Sequence, residues 1–123
     1  KIIITGDFND EPQKESLAGT LKAEKTSTNI QPSSLYNLSY KWENQGTHKY
    51  QGQWAVLDQF IVSGALLKNR DPESNQHQAF IFKLPALLNE DEKHTGNKPN
   101  RTFSGYRYQG GFSDHLPVIL DLK

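Results

Sequence analysis

The sequence predicts an α+β layer, a sheet of short strands with helices on one face. Two observations carry this. Apolar runs of strand composition recur at residues 2–4, 55–63, 79–82 and 116–122, and two stretches of helical spacing lie among them. A third observation concerns the opposite face. The clearest strands are apolar along their length, the mark of a sheet covered on both sides, whereas two modest helices cover only one. The uncovered face is expected to meet a partner layer, or a second copy of the chain in a two-fold dimer.

Taken in order, Lys1-Ile2-Ile3-Ile4-Thr5 reads as a buried strand that begins at once. No initiator methionine, signal peptide or cap precedes it, so the chain is expected to be an excised fragment. Gly6-Asp7-Phe8-Asn9-Asp10-Glu11-Pro12 is a polar turn leading into a helix. Asp10 is its expected cap, Glu11 suits the positive end, and Pro12 is tolerated in the first turn. Leu17, Ala18 and Leu21 carry the helical spacing, which fades near Lys25. Residues 26–34 have loop composition, and residues 35–42 leave strand and short helix both open. Residues 43–53 are expected to form a loop, and 55–63 the strongest strand after the first. The polar segment 68–78 reads as an exposed connection, 79–82 as a strand, and 85–92 as a short helix. Residues 93–105 form a charged loop, and residues 116–122 close the chain as a strand. No repeat or linker interrupts residues 1–123, so they form one unit.

Bulk composition narrows the chemistry. Lysine plus arginine equals aspartate plus glutamate, 14 each, so the basic excess usual in general nucleic-acid binders is missing. That moves small or isolated phosphoesters ahead of long polyanions. With no cysteine, disulfides, thiolate metal sites and cysteine nucleophiles are excluded. The apolar runs are too short to span a membrane.

Three acidic clusters sit at strand edges or within a strand. In Gly6-Asp7-Phe8-Asn9, the carboxylate can take a proton from water or help bind a cation, and the carboxamide can donate to a phosphoryl oxygen. An Asx turn with a helix cap explains the same residues. A calcium loop does not, because Pro12 occupies the position that needs glycine. Asp58, inside Val56-Leu57-Asp58-Gln59-Phe60-Ile61-Val62, is costly to bury unless paired; a structural hydrogen bond to backbone is the alternative. Gly110-Gly111-Phe112-Ser113-Asp114-His115 offers a metal ligand or base beside a proton donor. His115 acts best if a buried carboxylate holds its other nitrogen, and Asp58 is the natural candidate. A polar turn entering a strand is the plainer reading.

Together, Gly-Asp-Phe-Asn after a strand, Leu-Asp-Gln-Phe inside one and Ser-Asp-His-Leu-Pro-Val entering the last resemble the endonuclease/exonuclease/phosphatase superfamily over essentially the whole chain. The resemblance implies half of a four-layer α/β sandwich, one mostly antiparallel sheet with helices on one face, and specifically the C-terminal half of the domain. It implies that Asp7 orients or deprotonates the attacking water and Asn9 binds the phosphate. It pairs Asp58 with His115, which stabilises or protonates the phosphoryl oxygens, and gives Asp114 to a magnesium or manganese site. The family's N-terminal half supplies an asparagine and the principal metal-binding glutamate. No glutamate of this chain matches that position, so the chain alone is expected to bind metal weakly and to have little activity. The substrate is a phosphoester: nucleic acid, a phospholipid headgroup, or a sugar or inositol phosphate. A non-catalytic binding or assembly module that keeps the fold is the alternative.

Secondary candidates border these clusters. His48, Lys49, Tyr50 and Trp54 precede the Asp58 strand and can touch a substrate, or simply form an exposed loop with an aromatic anchor. Arg101 and Arg107, with interleaved aromatics, suit a phosphate or a base; arginine–aromatic packing accounts for them equally. His77 and His94 lie in polar stretches and read as exposed bystanders.

Overall fold

Cross-strand pairing, more than local apolarity, decides where the strands run. The computed structural model describes residues 1–68 and 78–122, and the described chain is mostly β with few, short helices. The first strand, β1 (Ile3–Asp7), continues past its apolar run because each residue through Asp7 pairs with the later antiparallel strand Asp58–Ser63.

The helix expected next is a single wide turn, a six-residue π-helix over Glu15–Thr20. Lys14, not Asp10, precedes it. Asp10 accepts instead from the Ser16 hydroxyl at 2.5 Å and from the Glu11 amide at 3.1 Å. Gly19 and Thr20 are weak helix formers, and Lys22 at φ 54° leaves the helical backbone before the next strand. Ala23–Lys25 is then strand β2 rather than the tail of a helix. Leu17 and Leu21 face inward, whereas Ala18 is exposed.

Strand β3 (Leu35–Asn37) passes directly into a 3-10 turn over Leu38–Trp42, so strand and short helix occur in succession. Asn37 makes the junction, its side-chain oxygen accepting from the Ser39 amide at 2.9 Å. Residues 43–53, expected as a loop, contain most of a hairpin of β4 (His48–Tyr50) and β5 (Gln53–Ala55). Gln51 and Gly52 both have positive φ, 46° and 82°, the backbone of a tight turn whose twist suits a hairpin.

Strand β6 (Asp58–Ser63) starts at Asp58, which is therefore its first residue and not an interior one. Helix α1 (Gly64–Leu67) follows. The polar connection 68–78, His77 included, lies outside the described residues except at its ends. Strand β7 (Gln78–Ile81) occupies the expected place. Residues 85–92 are not a helix: a 3-10 turn over Pro85–Leu87 gives way to β8 (Leu88–Glu90), which pairs with β9 (Asn97–Pro99). Pairing there outweighs a weak local helical preference. The expected loop 93–105 thus holds β9 and β10 (Phe103–Ser104), which turns back as β11 (Arg107–Tyr108). Strand β12 (Val118–Asp121) comes last.

The main sheet is mixed, in the order β1-β6-β3-β2, with β2 parallel to β3 and the other pairs antiparallel. β7 and β12 form a separate antiparallel ribbon. Among the described residues the helices are too few and too short to form a layer, which corrects that part of the α+β expectation. β6 is buried on both faces within the chain. Phe60 and Val62 join Leu38, Trp42, Ala79, Ile81 and Leu116 in the larger core, while Ile61 meets Leu17 and Ala23 on the other side. Each such aliphatic side chain contributes about 1.5–3 kcal/mol when fully buried. Apolar side chains left open lie elsewhere and include Ile3 on β1 and the register partners Phe80 and Ile119 on the ribbon. Among the described residues, no helix is long and apolar enough to cross a membrane.

Candidate active site

Antiparallel pairing brings the C-terminal end of β1 opposite the N-terminal end of β6, so Asp7 and Asp58 are direct register partners. Like charges directly opposite on a strand pair repel. The arrangement calls for a hydrogen-bonding partner or a cation at the pair.

His115 supplies one such group. Its Nδ1 lies 2.6 Å from Asp58 Oδ2, with both side chains largely shielded from solvent. The segment carrying it is fixed by the Leu116 amide donating to the Thr47 carbonyl at 2.7 Å, which bridges His115 to His48. The two imidazoles stack with ring centres 4.6 Å apart. Burial first, and then the neighbouring His115, lower the His48 pKa from its ordinary value.

Asn9 stands two residues beyond Asp7 at φ 51°, and its amide donates to Asp7 Oδ1 at 2.8 Å. This Asx turn holds the carboxylate while leaving the Asn9 residue exposed. Asp114 is exposed and engaged by Arg101, Nη2 to Oδ2 at 3.1 Å. The loop before it is pressed onto Asn100, whose carbonyl accepts from Phe112 at 2.7 Å and Ser113 at 3.2 Å. Gly111 permits that approach, since a Cβ there would strike the Asn100 carbonyl.

Two donor groups could hold a cation, Asp7–Asp58–His115 and His48–Asp114–His115, each with ligand atoms within 4.8 Å of one another. Carboxylate oxygens suit magnesium or manganese, and two opposed carboxylates favour a cation between them, so the residues fit such an ion. Asp114 belongs to the second group and not to the Asp7 group. Tyr50 is exposed on β4. Arg107 is exposed on the β10–β11 hairpin and does not line the cavity that Tyr50 and Arg101 share, although its register partner Ser104 does. Lys49 is buried against Asp91, and Trp54 packs on the core, so neither is simply an exposed loop residue. His94 is exposed, as expected, but also reaches Asp91 at 3.4 Å.

Supporting residues were missed by sequence reasoning. The Thr47 hydroxyl accepts from the Leu57 and Asp58 amides, each at 3.1 Å, and so sets the start of β6. Gln59 is fully buried, its Oε1 accepts from the Asn37 side-chain Nδ2 at 2.6 Å, and its Nε2 donates to the carbonyls of Asp10 at 2.6 Å and Val56 at 3.1 Å. It ties the Asp7–Asp10 turn to the core. A glutamine inside Leu-Asp-Gln-Phe was the available signal, because a buried polar side chain must find partners.

No curated protein and no solved structure matches the chain. A family model, that of the endonuclease/exonuclease/phosphatase family, does match, over residues 1–123. The chain belongs to the endonuclease/exonuclease/phosphatase family.

Proposed function

We propose that this chain is the C-terminal half of a domain that hydrolyses a phosphodiester or phosphomonoester with the help of a divalent metal. Membership of the family implies phosphoesterase-type hydrolysis. The convergence of Asp7, Asp58 and His115 from three separate segments is the observation that carries the finer reading.

In this scheme Asp7, held by the Asn9 amide, orients the attacking water and accepts its proton. The Asn9 carboxamide donates to a phosphoryl oxygen. Asp58 holds His115 through Nδ1, leaving Nε2 for the phosphoryl group, where it stabilises or protonates oxygen. A magnesium or manganese ion, held in part by Asp114, would neutralise charge that develops on the phosphate. Among the described residues no glutamate joins either donor group, which supports weak metal binding and little activity by the chain alone. Exposed apolar residues such as Ile3, and the paired Phe80 and Ile119, are candidates for what the other layer of a four-layer sandwich would cover.

The test is hydrolysis of a generic phosphodiester and a phosphomonoester by the chain joined to the rest of its domain, with and without magnesium, beside Asp7→Asn. Metal-dependent cleavage, lost in the variant, is expected. Cleavage indifferent to Asp7 would sink the assigned mechanism, and none by a folded protein would favour the binding-module alternative. Strong magnesium-dependent turnover by residues 1–123 alone would overturn the half-site reading.

A further inference from the structure

A cavity of about 310 Å³ opens beside the candidate site and plays no part in the scheme above. Its size is that of a small-ligand pocket. Four permanent cations line it, Lys49, Lys93, Lys98 and Arg101, against the carboxylates of Asp91 and Asp114. The whole chain is neutral, so this positive excess is local.

The internal pairing does not cancel it. Asp91 is shared by Lys49 at 3.0 Å, His94 at 3.4 Å and Lys98 at 3.7 Å. One carboxylate cannot neutralise two lysines, and Lys93 adds a third cation to the same wall. Lys49 is almost wholly buried, with its ammonium also donating to the Thr95 carbonyl at 2.9 Å. It acts as a fixed post on which Asp91 orients the more exposed Lys98. Arg101 forms the wall towards the reaction centre through Asp114, the neighbour of His115. Preset donors around a concave space are the usual recipe for holding a phosphate.

We infer that this cavity takes a second phosphate of the substrate, so that the enzyme acts on small phosphoesters bearing at least two phosphate groups. The inference rests on the phosphoesterase reading above and adds the substrate class. A polynucleotide also presents neighbouring phosphates, but it would be met by a basic stripe along the surface. Here the chain as a whole is neutral and the cations in question line one concavity.

The test titrates residues 1–123 with a glucose bisphosphate, a glucose monophosphate and a short oligodeoxynucleotide, following backbone amides by NMR. The bisphosphate should shift the amides of Lys93, His94 and Lys98 and bind about tenfold more tightly than the monophosphate, the gain expected from a further charged hydrogen bond or two. The double variant Lys93→Gln/Lys98→Gln, altered at the cavity rim, should lose that advantage. Equal binding of the two sugars, shifts confined to other surfaces, or an unaffected double variant would overturn the inference. Tighter binding of the oligonucleotide than of the bisphosphate would replace it with a nucleic-acid site. Binding is read without turnover. Cavity shifts with no hydrolysis by the complete domain would therefore sink the phosphoesterase reading while supporting the anion pocket. Hydrolysis with no cavity shifts would do the reverse.

Discussion

The opposed carboxylates of Asp7 and Asp58 are a local conflict that the fold tolerates. Replacing Asp7 by asparagine keeps an acceptor for the Asn9 amide and removes one of two facing charges. Asp7→Asn should therefore stabilise the chain by about 0.2–1 kcal/mol in chemical denaturation, while lowering the activity of the complete domain by about 10²–10⁴-fold. A loss of stability would mean that the two carboxylates do not repel. Asp91 makes a second residue-scale case. Burial raises its pKa, but the Lys49 hydrogen bond, the Lys93 amide and the charges of Lys49 and Lys98 outweigh this and hold it at about 2. Its folded value is thus below the ordinary value of about 3.9, so its stabilisation is present above about pH 4 and is lost as pH falls towards 2. Acid unfolding of Asp91→Asn should show a flatter pH dependence in that window; an unchanged slope would contradict the shift.

At the scale of elements, the site depends on joints between strands. Thr47 is fully buried and its hydroxyl serves the two amides that open β6. Thr47→Val keeps the shape and removes the acceptor, which should cost about 1–3 kcal/mol in denaturant titrations. It should also disturb the Asp58–His115 contact, visible as a changed His115 imidazole spectrum. Gly111 is the second joint, because any side chain there meets the Asn100 carbonyl. Gly111→Ala should displace the loop carrying Asp114 and His115 and cost about 1–3 kcal/mol. Stability and activity both at the original level would show that the loop yields freely. These joints were hard to read from the chain. Thr47 sits in a glycine-rich polar stretch, and its partners lie 10 and 11 residues away.

For the whole molecule, the exposed apolar pair Phe80 and Ile119 on the ribbon is the feature with the widest reach. Phe80 and Ile119 face each other across the ribbon and stay exposed. Residues 1–123 should self-associate through this surface as concentration rises, and Phe80→Lys should shift the equilibrium to monomer in light scattering. A monodisperse monomer at high concentration would count against this. The sequence suggested an uncovered face on the strand sheet itself. The structure moves it, because β6 is covered on one side by Leu17 and Ala23 and on the other by the β7–β12 ribbon.

Residue order alone determined the family, the apolar strands around β1, β6, β7 and β12, and the acidic positions Asp7, Asp58 and Asp114. Those features are local: an apolar run or a Gly-Asp-Phe-Asn turn keeps its meaning wherever the chain folds. The Asp58–His115 distance, the opposition of Asp7 to Asp58, and the Lys49–Asp91 pocket were decided by tertiary structure. Each joins residues far apart in the chain, 57 in the case of Asp58 and His115. The hairpins at 48–55 and 88–99 were hidden for the same reason. Their strands are short and polar, and it is the partner across the ladder, not their own composition, that holds them extended.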